Sequence, residues 1–152
     1  MMNIVIEKMS DTHITQIGKL ETECFSVPWS ENVLREELNN EFARFFVALC
    51  DGEVAGYIGA HNILGEVYIT NVAVFPEYRK NGFGEALIKR LIETVKKENA
   101  DFITLEVRKS NTSAINLYEK CGFNAVGKRK KPFGDCRKAF LYGFTLHRTG
   151  DL

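Results

Sequence analysis

The chain has 152 residues, and its twenty basic and twenty acidic side chains cancel to a formal net charge of zero. That balance gives no general electrostatic grip on nucleic acid or membrane, so any such contact would have to be local. Cys24, Cys50, Cys121 and Cys136 form no Cys-x-x-Cys pair, and His13, His61 and His147 are scattered, so neither a zinc site nor a small disulfide scaffold is supported and no metal is expected.

One domain, residues 1–152, is expected at this length, burying about two-thirds of the surface that the unfolded chain exposes. The N-terminus, Met-Met-Asn-Ile-Val-Ile-Glu-Lys, has no apolar h-region, and no apolar run approaches the ~20 residues that span a bilayer. The expected location is therefore the cytoplasm, with no membrane partner.

Ile4 and Ile6 alternate with polar neighbours as a first strand. Ser10-Asp11 then offers cap chemistry for a helix carrying Ile14, Ile17, Leu20 and Cys24. Phe25-Ser26-Val27-Pro28-Trp29-Ser30 breaks it, and Ser30 can cap a second helix with Val33, Leu34 and Leu38 as its apolar face. Trp29, the single tryptophan, is either a core anchor between these helices or part of a substrate cleft. Phe45 to Cys50, Asp51-Gly52 and Glu53 to Ala60 read as a hairpin, because Asp-Gly supplies the positive φ angles of a tight turn. Gly56 and Gly59 inside its second strand suggest a bend or bulge, and a long strand from Glu66 to Phe75 follows the Ile63-Leu64-Gly65 turn.

Val72, Ala73, Val74 and Phe75 form a short apolar run stopped by Pro76, and beyond Gly84 the residues Leu87, Ile88, Leu91, Ile92 and Val95 recur at helical spacing. Between them lies Arg79-Lys80-Asn81-Gly82-Phe83-Gly84. Glycines let the backbone curl with its N–H groups inward, and the first turn of a helix leaves further N–H groups unpaired at the positive end of its dipole. The loop reads either as a phosphate cradle of that geometry or as no more than a tight turn. No Gly-Lys-Ser/Thr follows, so the loop is not a P-loop, and Leu87 stands where a dinucleotide fingerprint would need its third glycine.

Phe102 to Val107 is the next strand, parallel to the preceding one because a helix lies between them. Asn111 to Cys121 is a short helix capped by Asn111 or Thr112 and stopped by Gly122, and Ala125 to Lys128 with Ala139 to Leu146 close the chain as a terminal hairpin. The tail Thr149-Gly150-Asp151-Leu152 reads as frayed. The fold class is α+β: a mixed, mostly antiparallel central sheet with one parallel βαβ unit and helices on both faces. Its ligand crevice is expected near the carboxyl ends of the two parallel strands.

Two residues carry candidate chemistry. Glu106 shares a strand face with Phe102 and Thr104 amid an apolar pattern, which points either to an ion pair with Arg108 or to a general base. Tyr118 lies on the face of the short helix shared with Ala114 and Cys121, either as a packed ring or as a phenol donating a proton to a leaving group.

Val74 with Arg79-Lys80-Asn81-Gly82-Phe83-Gly84 resembles the acetyl-CoA motif Arg/Gln-x-x-Gly-x-Gly/Ala of the GCN5-related N-acetyltransferase (GNAT) superfamily. Leu105-Glu106-Val107-Arg108, Asn111, and Ala114 through Phe123 are similar to the second half of that fold. Phe25 through Ser30 together with Leu117-Tyr118 narrow the resemblance to the ribosomal-protein-alanine N-acetyltransferases of the RimI type. It implies that the backbone of Val72, Ala73 and Val74 pairs with the pantetheine arm of acetyl-CoA. It implies further that N–H groups of Lys80, Asn81, Gly82, Phe83, Gly84 and Glu85, beside Arg79, hold the pyrophosphate and that Asn111 contacts the cofactor arm. Glu106 would be the base and Tyr118 the acid, with a backbone N–H near Val74 as oxyanion donor. The implied acceptor is the N-terminal alanine of a small-subunit ribosomal protein, attacked directly in a ternary complex.

Neutralising an α-ammonium of pKa ~8 at pH 7 costs about 1.4 kcal/mol, against about 4.6 kcal/mol for a lysine of pKa ~10.4, so one carboxylate suffices more easily for an α-amine. The alternatives are a small-molecule amine or a protein lysine as acceptor, or a non-catalytic acyl-CoA-binding module. The chain departs from the RimI pattern at Lys130-Lys131-Pro132-Phe133 and Arg137-Lys138-Ala139. With Lys128 and Arg129 these make a local basic cluster, read either as a solvated hairpin tip or as a contact for acidic peptide or ribosomal RNA.

Overall fold

The computed structural model describes residues 2–130 and 138–146, without the side chains of 128–130 and 138. The side chains of the basic cluster, together with Cys136, His147 and the tail from Thr149, lie outside what is described.

Strand β1 (Val5–Lys8) pairs antiparallel with β2 (Ala43–Cys50). Between them a 3₁₀ turn at Asp11–His13, opened by Ser10, leads into α1 (Ile14–Cys24), and α2 (Glu31–Leu38) follows with the Ser30 hydroxyl accepting from the Val33 N–H at 3.2 Å. Ile14, Ile17 and Leu20 are fully buried at helical spacing. The apolar face of α2 is narrower than its pattern suggests: Leu34 is buried, but Val33 is 39% and Leu38 36% exposed. A helix of two turns presents one ridge to its neighbour, and Leu34 fills it.

Asp51 (φ 50°) and Gly52 (φ 83°) make the expected turn from β2 into β3 (Glu53–Ile63), and Leu64 (φ 53°) with Gly65 (φ 90°) turns the chain into β4 (Glu66–Val74). A bulge interrupts the β3–β4 ladder between Gly59 and Ala60, where Gly59 pairs with Asn71 and Ala60 with Ile69, leaving Thr70 as the extra residue. One extra residue reverses the alternation of β4. Val67 and Ile69 point into the core beneath the next helix, Val72 and Val74 take over that side, and Ala73 turns to the core beneath α1.

Helix α3 (Phe83–Lys97) crosses from β4 to β5 (Phe102–Arg108), and α4 (Thr112–Lys120) connects β5 to a hairpin of β6 (Asn124–Lys130) and β7 (Lys138–Thr145). The seven strands lie in the order β1-β2-β3-β4-β5-β7-β6, with β4 and β5 as the parallel pair. Among the described residues, α1 and α2 cover one face of the sheet and α3 and α4 the other. Leu87, Ile88 and Leu91 are fully buried, each contributing about 1.5–3 kcal/mol of transfer free energy. No helix among the described residues is long and apolar enough to cross a membrane. Cys24, Cys50 and Cys121 are free thiols.

The parallel ladder covers only Glu66↔Phe102, Val67↔Ile103 and Tyr68↔Thr104. Beyond it β4 stays with β3 up to Val74 and β5 stays with β7 up to Arg108, so the two parallel strands diverge toward their carboxyl ends.

Candidate active site

After β4 the chain makes a 3₁₀ turn at Pro76–Tyr78, and Arg79 folds back on the strand it has left. Its Nε donates to the Val74 carbonyl at 3.0 Å, and its Nη2 lies 3.4 Å from the Cys24 Sγ. The Asn81 amide donates to the carbonyls of Tyr78 (3.2 Å) and Arg79 (2.9 Å), shaping the loop from within. Lys80 (φ 64°) and Gly82 (φ 87°) both adopt left-handed backbone.

The helix starts earlier than the glycine pattern suggests. Gly82 is the N-cap of α3, so Phe83, Gly84 and Glu85 form its first turn, and Phe83 is a core residue, 1% exposed, edge-on to Tyr78 at 5.5 Å. The Ala86 N–H, donating to the Gly82 carbonyl at 3.0 Å, closes the first turn, which leaves the N–H groups of the three residues before it without an intrahelical acceptor. Glu85 would compete there for an anion's place, but its carboxylate is drawn sideways to Lys89 (2.9 Å) and Lys120 (3.1 Å). Those two bonds, Lys89 first, hold its pKa below the usual range. The Lys120 bond also ties the last turn of α4 to the first turn of α3.

Asn111, not Thr112, caps α4: its Oδ1 accepts from the Ala114 N–H at 3.2 Å. Gly84 and Leu117 mark where α3 and α4 approach, since a Cβ on Gly84 would stand 2.9 Å from the Leu117 Cδ2. Tyr118 is 8% exposed, and burial, with a smaller contribution from Cys121, pushes its phenol up to about 12. It remains a proton donor throughout the neutral range.

These elements enclose a cleft of about 690 Å³ at the divergence of β4 and β5. Val72, Ala73, Val74, Arg79, Lys80, Gly82, Phe83, Gly84, Glu85, Asn111 and Tyr118 all line it. Two expected site residues do not. Asn81 turns its amide into the loop. Glu106 is half-buried on β5 opposite Leu141 of β7, on the strand face away from Leu105 and Val107, which lie in the core beneath α3. Glu106 and Tyr118 thus reach the divergence from opposite sides of the sheet.

Cys24, Phe25, Tyr78, Ser113, Asn116, Leu117 and Lys120 also line the cleft and were not expected there. Asn116, Leu117 and Lys120 sit beside Tyr118 in sequence and share its helix, a signal that could have found them. Cys24 and Phe25 come from the end of α1, and no local pattern connects them to a loop more than fifty residues on. Trp29 is not in the lining; it is partly buried and stacks at 6.2 Å on Phe45, anchoring the loop to the core beneath α1.

Residues 14–123 match the family model described as acetyltransferase (GNAT) family. An N-alpha-acetyltransferase of Sulfurisphaera tokodaii is 34% identical over 148 residues, covering 89% of each chain. A [ribosomal protein bS18]-alanine N-acetyltransferase of Haemophilus influenzae is 33% identical over 143 residues, covering 90% of this chain and 95% of its own. The crystal structure of the ribosomal-protein-S18-alanine N-acetyltransferase from Escherichia coli superimposes with a TM-score of 0.87 at 28% identity, over 98% of this chain and 97% of that one.

Proposed function

This chain belongs to the GNAT acetyltransferase family, and from that membership we propose that it acetylates the N-terminal alanine of a small-subunit ribosomal protein, in the cytoplasm, as one domain spanning residues 1–152. It is an acetyl-CoA-dependent N-acetyltransferase of the kind that modifies protein N-termini. The alanine and the ribosomal protein are our reading, supported by the names of relatives matched along most of their length. The observation that carries the reading is the cleft itself. Two parallel strands part after three pairs, and the unpaired first turn of α3 opens at the gap.

The chain's own groups fit the cofactor. Gly82 holds the left-handed turn that aims the first N–H groups of α3, and the lysines on Glu85 keep its charge off their mouth. In our reading these N–H groups and Lys80 hold the pyrophosphate, the backbone of Val72 to Val74 pairs with the pantetheine amides, and Asn111, its Oδ1 committed to the helix cap, offers its NH₂ to the arm. When bound, acetyl-CoA supplies the thioester carbon that the amine attacks. Glu106 takes the proton of the incoming ammonium from the α1 side of the sheet, and a backbone N–H near Val74 donates to the oxygen that gains charge. Tyr118 donates a hydrogen bond to the departing sulfur. Full transfer from a phenol at about 12 to a thiolate of pKa ~8.5 would run uphill by about 5 kcal/mol. Its part is therefore to stabilise the sulfur while the final proton comes from solvent.

Release of free thiol from acetyl-CoA, measured with an alanine-led ribosomal peptide, a lysine-bearing peptide blocked at its N-terminus, a polyamine and no acceptor, tests this reading. The alanine-led peptide should be turned over fastest. Turnover of polyamines or of the blocked peptide in its place would refute the proposed acceptor, and CoA binding with no release from any amine would refute catalysis.

A further inference from the structure

Glu21 is 1% exposed, the one buried acidic side chain among the described residues, and the proposed chemistry makes no use of it. Its Oε1 accepts from the backbone N–H of Trp29 at 2.8 Å, and its Oε2 accepts from the Tyr57 hydroxyl at 2.5 Å and the Asn71 Nδ2 at 3.2 Å. All three donors are neutral. Burying a carboxylate without a cation is costly, and an apolar residue of similar size would serve stability better. The same cluster carries a second cost: because a carboxylate can only accept, Asn71 must turn its NH₂ to Glu21, and its Oδ1 is left buried with no hydrogen-bond partner. Burial and the adjacent Glu21 carboxylate hold the Tyr57 phenol well above its usual range, so it stays a donor.

The three donors sit on three separate pieces of the fold, the loop between α1 and α2, strand β3, and β4 just past its bulge. Two of these pieces, the loop and β4, carry residues that line the cleft, and β3 pairs with β4 beside them. Phe25, 36% exposed, lines the cleft from that loop, and Val72 follows Asn71 directly. The cluster lies on the α1 side of the sheet, the side Glu106 faces and the side opposite α3.

We propose that Glu21 is a positioning residue for the acceptor. Its carboxylate pins the loop from Phe25 to Trp29 against β4, and the pinned loop presents Phe25 and the 83%-exposed Val27 to the first side chains of the acceptor peptide. This rests on the acetyltransferase reading above. The pyrophosphate cradle proposed at the first turn of α3 lies across the sheet, so the effect of Glu21 falls chiefly on the acceptor.

The test is Glu21→Gln, whose NH₂ faces a donor and so breaks the cluster at nearly constant volume. The KM for an alanine-led peptide should rise about tenfold or more while the KM for acetyl-CoA stays within about twofold. Trp29 is the only tryptophan, so acrylamide quenching of its fluorescence reads the loop directly and should increase. Equal rises in both KM values, or a folded variant with unchanged peptide KM and unchanged quenching, would overturn the proposal. If Glu21→Gln does not fold, Tyr57→Phe removes one donor and keeps the ring, and the same split, at about threefold, decides. If the parent turns over no peptide, the acceptor reading fails by itself, and quenching in the CoA-bound protein still decides whether Glu21 holds the loop.

Discussion

Glu106 takes a proton and Tyr118 holds one against the departing sulfur, and each can be read separately by pH. The Tyr118 phenol is raised from 10.0 to about 12 by burial. The folded protein therefore keeps a proton that the unfolded chain gives up, and the stability this protects is fully present below pH 10 and lost as pH rises to about 12. The loss over those two pH units is about 2.7 kcal/mol. Urea unfolding at pH 9 and pH 11.5 should show it, and Tyr118→Phe should flatten that part of the alkaline limb. The same substitution should lower kcat about 10- to 100-fold with the KM for acetyl-CoA little changed. Glu106→Gln should depress thiol release about tenfold at neutral pH, the cost of freeing the α-amine there, and recover as the pH passes the α-amine's ~8, because the amine then sheds its own proton. A pH–rate profile with the parent's shape would contradict a base at this position. In the sequence Glu106 stands out because it puts a carboxylate where the local period calls for an apolar residue, and Tyr118 because it shares a helix face with Ala114 and Cys121. Cys24, Phe25 and Glu21 do not, because α1 reads as an ordinary amphipathic helix and only its packing against β4 gives its last turns a role.

At the scale of elements, the hairpins, the caps Ser30 and Asn111 and the parallel crossover were visible as turn chemistry and period. The bulge was half visible. Gly56 and Gly59 announced a distortion, and Gly59 is needed because a Cβ there would stand 2.5 Å from the Phe45 ring, but nothing in the run Glu66 to Val74 shows that its inward side changes at Thr70. Register belongs to pairs of strands, and one strand's pattern cannot report it. The start of α3 was misjudged for a related reason: Phe83 between two glycines reads as loop, yet packing on Tyr78 draws it into the helix. That early start makes Gly82 the residue that aims the anion-binding turn. Gly82→Ala, at φ 87°, should cost about 1–2 kcal/mol of stability. It should raise the KM for acetyl-CoA about tenfold and leave the peptide KM closer to the parent's, as paired saturation curves would show.

Across the whole molecule, the cleft is where α1, α3, α4 and β4 meet, so a ligand there touches both layers of the sandwich. CoA at a hundred times its Kd should stabilise the fold by about 2.7 kcal/mol, a rise in Tm of roughly 5–10 °C for a chain of this size. Thermal melts with and without CoA would measure it, and an unmoved Tm would argue against the cleft as the cofactor's seat. The short ladder between β4 and β5 has one more consequence. Unpaired strand edges normally lie at the border of a sheet, where a neighbouring molecule can add a strand and start an aggregate. Here two edges face each other inside the sheet, in a wedge that opens from the last of three pairs, where strands stand about 4.8 Å apart. Another protein's strand would need both edges to move apart, whereas a slender chain bearing a few amides can slide in from the open end. Strand edge is thus kept available to a small guest and closed to the protein's own kind.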